Sequence, residues 1–331
     1  MMIMKLNFLK AVAAVVTAGA ALAPTTSSAQ AFPNRPVMII VPFQAGGFVD
    51  VIARALALKL AKTWGQPVLV DNKPGANGLL ATQQLMKSQP DGHTVLYQLT
   101  GMIQIPLLSK SAAAAYDPLK DVTPIIQLGS QVMGLAVPAK SPVNSVDQLV
   151  ADGKAKGARG HAYGTVGVGH TGHIWSELLT SEKGFNGAHA PYKGASPLLL
   201  DLVADRMDWA FLGSSDAVVR STDKSLKILA VTGPERIRQL PSVPTMKELG
   251  YPGFEMVGWH GLFAPANTPK AIVMKIEADV RAAMHDPEIQ KVLDTHVITP
   301  TELGSDDFRK AMRDDQGRWA ALIKKFNIQV E

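Results

Sequence analysis

The sequence predicts a two-lobed α/β protein with a cleft between its lobes. Three observations carry that expectation. Short apolar runs alternate with helical patterns along the chain, as in largely parallel sheets with crossover helices. Two similar apolar strands, Met133–Pro138 and Gly258–Pro265, divide the pattern into parts as one chain pass out of a lobe and one pass back would. Gly-rich turns sit between strands and helices in both parts, where the backbone bends freely and a ligand can approach closely.

The chain has 331 residues, and its start reads as an export leader. Lys5 and Lys10 precede an Ala-rich apolar run from Ala11 to Ala23, and Ala29-Gln30-Ala31 is a small-x-small cleavage pattern. The run is short of the roughly 20 residues that a membrane span needs. Residues 1–31 are therefore expected to be a signal peptide cut after Ala31. The formal net charge is +5 and the pI about 9.2, a mild bias that favours anionic solutes only weakly. No Lys/Arg block marks a nucleic-acid surface. With no cysteine, disulfides, thiolate metal sites and cysteine nucleophiles are excluded.

Val37–Val41 reads as a buried strand, followed by Pro42-Phe43-Gln44-Ala45-Gly46-Gly47 and a helix opening at Asp50. The first N–H groups of a helix lack internal partners and the helix dipole favours negative charge there, so this turn is a candidate anion site. Pro67–Asp71 is a second strand, Asn72–Gly78 a loop, Leu79–Ser88 a helix, and His93–Tyr97 a third strand ending at Thr100-Gly101. In the second part Ser145 caps a helix, His161–Gly164 leads into a Gly-rich turn, and Thr171–Thr180 and Ser196–Val203 are helices. Met207–Leu212 and Leu226–Val231 are strands. The C-terminal part is helical over Pro269–Met284 (Pro at a first-turn position), Pro287–Thr295 and Asp306–Phe326, and is expected to pack back on the first lobe. The lobes are expected to comprise residues 32–133 plus 256–331, and residues 134–255.

Chemistry-bearing motifs are few. Gly167-Val168-Gly169-His170-Thr171-Gly172 matches G-x-G-x-x-G, but no acid stands about 20 residues on, so the dinucleotide reading is set aside. His170 and His173 lack the companions of a metal site. No G-x-S-x-G elbow occurs, and Ser221-Thr222-Asp223-Lys224 reads as a polar surface turn. The tryptophans read as core, with Trp259 the one best placed to approach the cleft. Arg54 and Arg206 read equally as carboxylate clamps or surface ion pairs. The cleft could belong to a receptor or to an exported hydrolase or lyase, but neither a nucleophile–base pair nor a metal set is visible.

An ordered series of motifs then resembles one family. Phe32-Pro33-Asn34-Arg35-Pro36-Val37, Val41-Pro42-Phe43…Gly46-Gly47…Asp50…Ala53-Arg54 and Asn72–Gly78 are followed by Pro90-Asp91-Gly92 and Tyr116-Asp117-Pro118. Gly167-Val168-Gly169…His173, Pro191-Tyr192-Lys193-Gly194, Leu240–Thr245 and Ala264–Pro269 complete it. The chain resembles Bug-type periplasmic solute receptors, the tripartite tricarboxylate transporter receptor family. The resemblance implies a type II-like periplasmic-binding-protein fold that closes on its ligand, no cofactor or metal, and no catalysis. It implies a monomer whose partners are a small carboxylate and the membrane permease subunits of a tripartite transporter, or alternatively a sensor.

In such receptors main-chain groups of the first loop hold a ligand carboxylate, here Phe43, Gly46, Gly47, Phe48, Val49 and Asp50. Thr165, Gly169 and His170 oppose it, Thr100 and Gly101 line the cleft, and Ala195 closes the far side. The departures from the family pattern concern the solute: Phe48-Val49 replaces Pro-Thr or Pro-Ser, Leu212 an Asp, Ile105 an Asn, and His170 a small hydroxyl residue. Without the Asp that an ammonium would want, the expected solute is a carboxylate with an apolar body. An aromatic acid or a phthalate-type dicarboxylate fits, with Phe48 placed to stack.

Overall fold

A computed structural model describes residues 32–75 and 78–328; the expected signal peptide lies outside the described residues. The first sheet is built from β1 (Val37–Val41), β2 (Val68–Asn72), β3 (Thr94–Leu99), β4 (Val122–Gln131), β10 (Gly258–Pro265) and β11 (Thr299–Pro300). Its order is β11-β4-β10-β3-β1-β2, with β1 parallel to β2 and β3, and β10 antiparallel to β3 and β4. The second holds β5 (Met133–Pro138), β6 (His161–Thr165), β7 (Gly187–Pro191), β8 (Trp209–Gly213) and β9 (Leu226–Val231), in the order β7-β6-β8-β5-β9.

The two sheets repeat one plan. Three parallel strands run second, first, third, then comes one antiparallel strand, then one more, to which the first sheet adds the two-residue β11 at its edge. In each sheet that antiparallel strand is the one that arrives from the other sheet. The chain leaves through Gln131-Val132-Met133 and returns into Gly258, which pairs with Gln131, so the two passes lie side by side. β5 is buried along its whole length, which is why its sequence shows no polar alternation.

The helices are α1 (Phe48–Trp64), α2 (Leu79–Met86), α3 (Gly101–Leu108), α4 (Lys110–Ala115), α5 (Val146–Ala155), α6 (Thr171–Lys183), α7 (Ala195–Val203), α8 (Ser214–Thr222), α9 (Lys270–Met284), α10 (Pro287–Thr295) and α11 (Ser305–Lys325). As expected, α9 and α11 pack on β4, and α10 on α1. Trp319 of α11 also meets Trp175 of α6 at 5.1 Å between rings, joining the C-terminal helix to the second lobe's core. Each such fully buried ring contributes on the order of 2–3 kcal/mol relative to exposure.

Several expectations need correction. α1 begins at Phe48, because Gly47 is the extended N-cap and the Asp50 carboxylate lies in the first turn, reaching backward. Pro269 sits at the N-cap of α9 and not in its first turn. Thr100-Gly101 is no strand end: Thr100 caps α3, an apolar helix that carries Pro106 and shows little amphipathic contrast. Ser221 and Thr222 end α8, so the expected turn is confined to Asp223 and Lys224. β4 and β7 escaped prediction, β4 because Pro124 and Gly129 interrupt an otherwise strand-like run.

Candidate functional site

The carboxyl ends of β1 and β6 face the cleft, and each turns into a helix by the same local device. In the first loop Gly46 adopts φ 83° and its N–H donates to Asp50 Oδ2 at 2.9 Å, four residues on. In the second Gly169 adopts φ 74° and its N–H donates to His173 Nδ1 at 3.0 Å, again four residues on. Both glycines occupy the left-handed region that disfavours side chains. The residue that reaches back is itself held from i+4 in each case. Arg54 Nε donates to Asp50 Oδ2 at 2.9 Å, and Glu177 Oε1 lies 3.7 Å from His173 Nε2.

The two devices use different chemistry: a carboxylate backed by an arginine in one, an imidazole backed by a carboxylate in the other. Asp50 is 2 % exposed and also accepts from Asn72 Nδ2 at 3.0 Å. Its hydrogen bond from Arg54, outweighing the cost of burial, holds its carboxyl down at about 2, below the usual 3.8. Arg54 is thus an ion-pair partner of the loop, and Arg206 pairs with Asp201 at 2.8 Å. His173 instead stacks on His189 at 3.8 Å between rings, and Tyr163 also stacks on His189 at 5.1 Å. Tyr163 donates a short hydrogen bond to Glu177. Burial, aided by His173, pushes the His189 imidazole down to about 4.

Between the lobes lies a cavity of about 150 Å³. Phe43, Thr100, Gly101, Gly169 and His170, all expected site residues, line it. With them come Ile105, one of the departures that concern the solute, Val166 and Val168 between the expected Thr165 and Gly169, and residues that sequence reasoning missed: Gln98, Gln104, Leu108, Gln131 and Thr171. Gly258 and Trp259 complete the wall, so Trp259 does approach the cleft although it is 2 % exposed. Not one Lys, Arg, Asp or Glu lines this cavity. Instead it touches the starts of two helices, α3 and α6, whose first N–H groups are short of partners.

The lobes meet directly across this space. Gln104 Nε2 of α3 donates to Thr171 Oγ1 of α6 at 3.2 Å, and Leu108 leaves no room for a side chain on Gly169, where a Cβ would come within 2.5 Å. His170 caps α6 by accepting from Gly172 N–H through Nδ1 at 3.2 Å. His170 is exposed, and the protein around it, with His173 nearby, lowers its imidazole from the usual 6.5.

The other expected residues lie outside this cavity. The Gly46 N–H is already engaged by Asp50, so it is not a donor awaiting an anion. The Phe48 ring packs edge-on to His260 at 5.7 Å and beside His296 at 6.3 Å. His260 is fully buried on β10, 2.9 Å from the Tyr97 hydroxyl, and burial lowers its imidazole to about 3. Gly47 and Val49 stand at the cap and first turn of α1. Thr165 is buried, its hydroxyl 2.6 Å from His189 Nε2, and Ala195 begins α7 after Gly194. A larger, open groove of about 820 Å³ runs along α9 and the start of α11, touches none of the expected residues, and carries charges of both signs such as Lys270, Glu277, Arg281 and Asp306. No group of three or more His, Asp or Glu among the described residues could hold a metal.

Comparison with known proteins agrees with this architecture. The periplasmic binding protein BugD shares 31% identity, with a TM-score of 0.78 over 91% of this chain and 100% of its own. A protein of R. palustris solved with adipate gives 29% identity and a TM-score of 0.80 over 90% of this chain and 99% of its own. MatC from Rhodopseudomonas palustris, solved with bound malate, gives 28% and 0.77 over 88% and 100%. Residues 52–328 match the family described as the tripartite tricarboxylate transporter family receptor. The two-sheet topology and that match make the chain a member of this family, a solute-binding receptor and not an enzyme.

Proposed function

We propose that this receptor captures a small carboxylate with an apolar body in the periplasm and delivers it to the permease of a tripartite transporter. The observation that carries the reading is the cavity wall: apolar side chains, neutral amides and hydroxyls, and two helix N-termini, with no charged side chain. A helix N-terminus favours an anion, whereas an ammonium would find no carboxylate there. The neighbours solved with adipate and malate support an acid as the ligand class. A volume of about 150 Å³ suits a small solute, well below the roughly 300 Å³ at which drug-sized pockets begin.

Phe43, Ile105, Leu108, Val166 and Val168 supply the apolar contacts, which fit an aromatic acid or a phthalate-type dicarboxylate. Residues 32–133 with 256–331, and residues 134–255, act as the two closing bodies, with the crossings at Val132 and Val257 as hinge. The Gln104–Thr171 bond is then a contact of the closed state. An export leader cut after Ala31 places the monomer in the periplasm, and a sensor in place of the permease would use the same closed form.

Thermal-shift screening of ligand-stripped protein against benzoate, phthalate, adipate, malate, citrate and amino acids tests the ligand class. Stabilisation by benzoate, phthalate or adipate is expected. A response confined to amino acids or to citrate would overturn it.

A further inference from the structure

Gln98 stands apart from the rest of the cavity wall. It lies near the carboxyl end of β3, in the run Thr94-Val95-Leu96-Tyr97-Gln98-Leu99, and is 1 % exposed. Its two amide atoms are told apart by their surroundings. Oε1 accepts from the Leu99 N–H at 2.8 Å, so the oxygen faces the backbone and the nitrogen is the other end. Nε2 is buried and has no hydrogen-bond partner. The fold makes room for this amide: a Cβ at Gly78, where φ is 94°, would come within 2.4 Å of Nε2. A buried amide donor without a partner is destabilising, and a polar group kept at that cost on the wall of a cavity points to a ligand atom.

We propose that Gln98 is a ligand-binding residue whose Nε2–H donates to an oxygen of the solute, selecting solutes that carry a second oxygen acceptor beyond the anchoring carboxylate. The inference rests on the carboxylate reading of this cavity and deepens it. Gln98 belongs to the first lobe and the start of α6 to the second, so a solute with an oxygen at each end spans the closing interface. A carboxylate oxygen, a carbonyl or a hydroxyl can each accept from Nε2, whereas an ammonium cannot. An apolar solute end would leave the amide unpaired, and discrimination against such an analogue is strong where a site's buried polar group is left without its partner.

The test pairs each diacid with its matched monoacid: adipate with hexanoate, and phthalate with benzoate, by calorimetric titration of ligand-stripped protein. Gln98→Met removes the donor at similar size. Gln98→Glu keeps the acceptor for the Leu99 N–H but sets a negative oxygen where the donor was. In the wild type at least one diacid is expected to bind ten-fold or more tightly than its monoacid. Gln98→Met should bring that ratio to within about three-fold of unity, chiefly by weakening the diacid, and Gln98→Glu should abolish diacid binding. A diacid preference unchanged in both variants overturns the role of Gln98 while leaving the carboxylate reading intact. Equal binding of diacid and monoacid by the wild type also overturns it. A wild type that binds neither pair overturns the carboxylate reading, and this inference with it.

Discussion

The first and second loops solve one problem with opposite chemistry. Each must end a parallel strand, place a glycine in a left-handed conformation and start a helix at the cleft. Each does so by letting a side chain in the first helical turn capture the glycine's N–H. In the first loop that side chain is a carboxylate locked by Arg54 and Asn72; in the second it is an imidazole, with Glu177 behind it and His189 stacked on it. The first loop is therefore held by charge at any pH near neutrality. The second is held through an imidazole nitrogen, His173 Nδ1, in place of a carboxylate. It is also the loop that presents Gly169, His170 and Thr171 to the cavity, whereas the first loop contributes Phe43. The charged anchor sits farther from the cavity, and the loop with the imidazole anchor forms its wall.

The largest expected effect follows from removing the charged anchor. Asp50→Ala leaves the Gly46 N–H, the Arg54 guanidinium and the Asn72 amide without their shared acceptor, and should cost on the order of 2–3 kcal/mol of stability. Denaturant unfolding reads that loss directly; a change under about 0.5 kcal/mol would mean that the first loop does not depend on this anchor.

Substituting the paired glycines should separate fold from closure. A Cβ at Gly46 would meet nothing within 4 Å, so Gly46→Val should cost mainly backbone strain of about 1–2 kcal/mol, seen in stability more than in affinity. Gly169→Val carries the same strain and also collides with Leu108 of the opposite lobe. It should weaken binding of the best acid in the screen at least ten-fold, or about 1.4 kcal/mol. Equal affinity losses in the two variants would erase the distinction between the loops.

Acid should act in two stages. The imidazoles of His189 and His260 are held at about 4 and about 3, below their usual 6.5, so the folded state binds fewer protons than the unfolded chain in that window. Their contribution is complete above pH 6.5 and is lost as pH falls towards 4 and then 3. Asp50, held at about 2 against a usual 3.8, loses its contribution only at lower pH, between those two values. Unfolding midpoints measured from pH 7.5 downwards should therefore begin to decline before Asp50 titrates, offset in part by Asp315, whose carboxyl burial raises to about 6. A flat profile to pH 4 would show that the buried imidazoles do not favour the folded state in their neutral form.

The smallest effect concerns the cross-cleft hydrogen bond. Gln104→Ala should remove about 0.5–1.5 kcal/mol from the closed form alone, lowering ligand affinity by two- to ten-fold. The stability of the ligand-free protein should change less than the affinity does.

Much of this was legible in the sequence, for identifiable reasons. Strands such as Val37–Val41 and Met133–Pro138 announce themselves because burial on both faces demands continuous apolar runs. The C-terminal helices carry clear periodicity and lie where expected. Gly46 and Gly169 were recognisable as turn residues, and Phe43, Thr100, Gly101, Gly169 and His170 do line the cavity. The backward reach of Asp50 and His173 was not legible, because an acid near a helix start reads equally as its cap. Nor was Leu108 against Gly169, a contact between residues 61 positions apart that only the lobe arrangement creates. Gln98 did leave a signal: a lone amide in an apolar strand, at the carboxyl end where parallel sheets place their ligands. Phe48 reads from sequence as a ring poised beside a Gly-Gly turn; its packing against His260 and His296 was not legible there.

The most direct test of the charge-free clamp is a crystal structure of the protein grown with the acid that stabilises it most. The carboxylate should lie in the cavity between Thr100-Gly101 and Val168–Thr171, its oxygens about 3 Å from backbone N–H groups of those helix starts. A carboxylate held instead by a Lys or Arg side chain, or bound outside that cavity, would contradict the account.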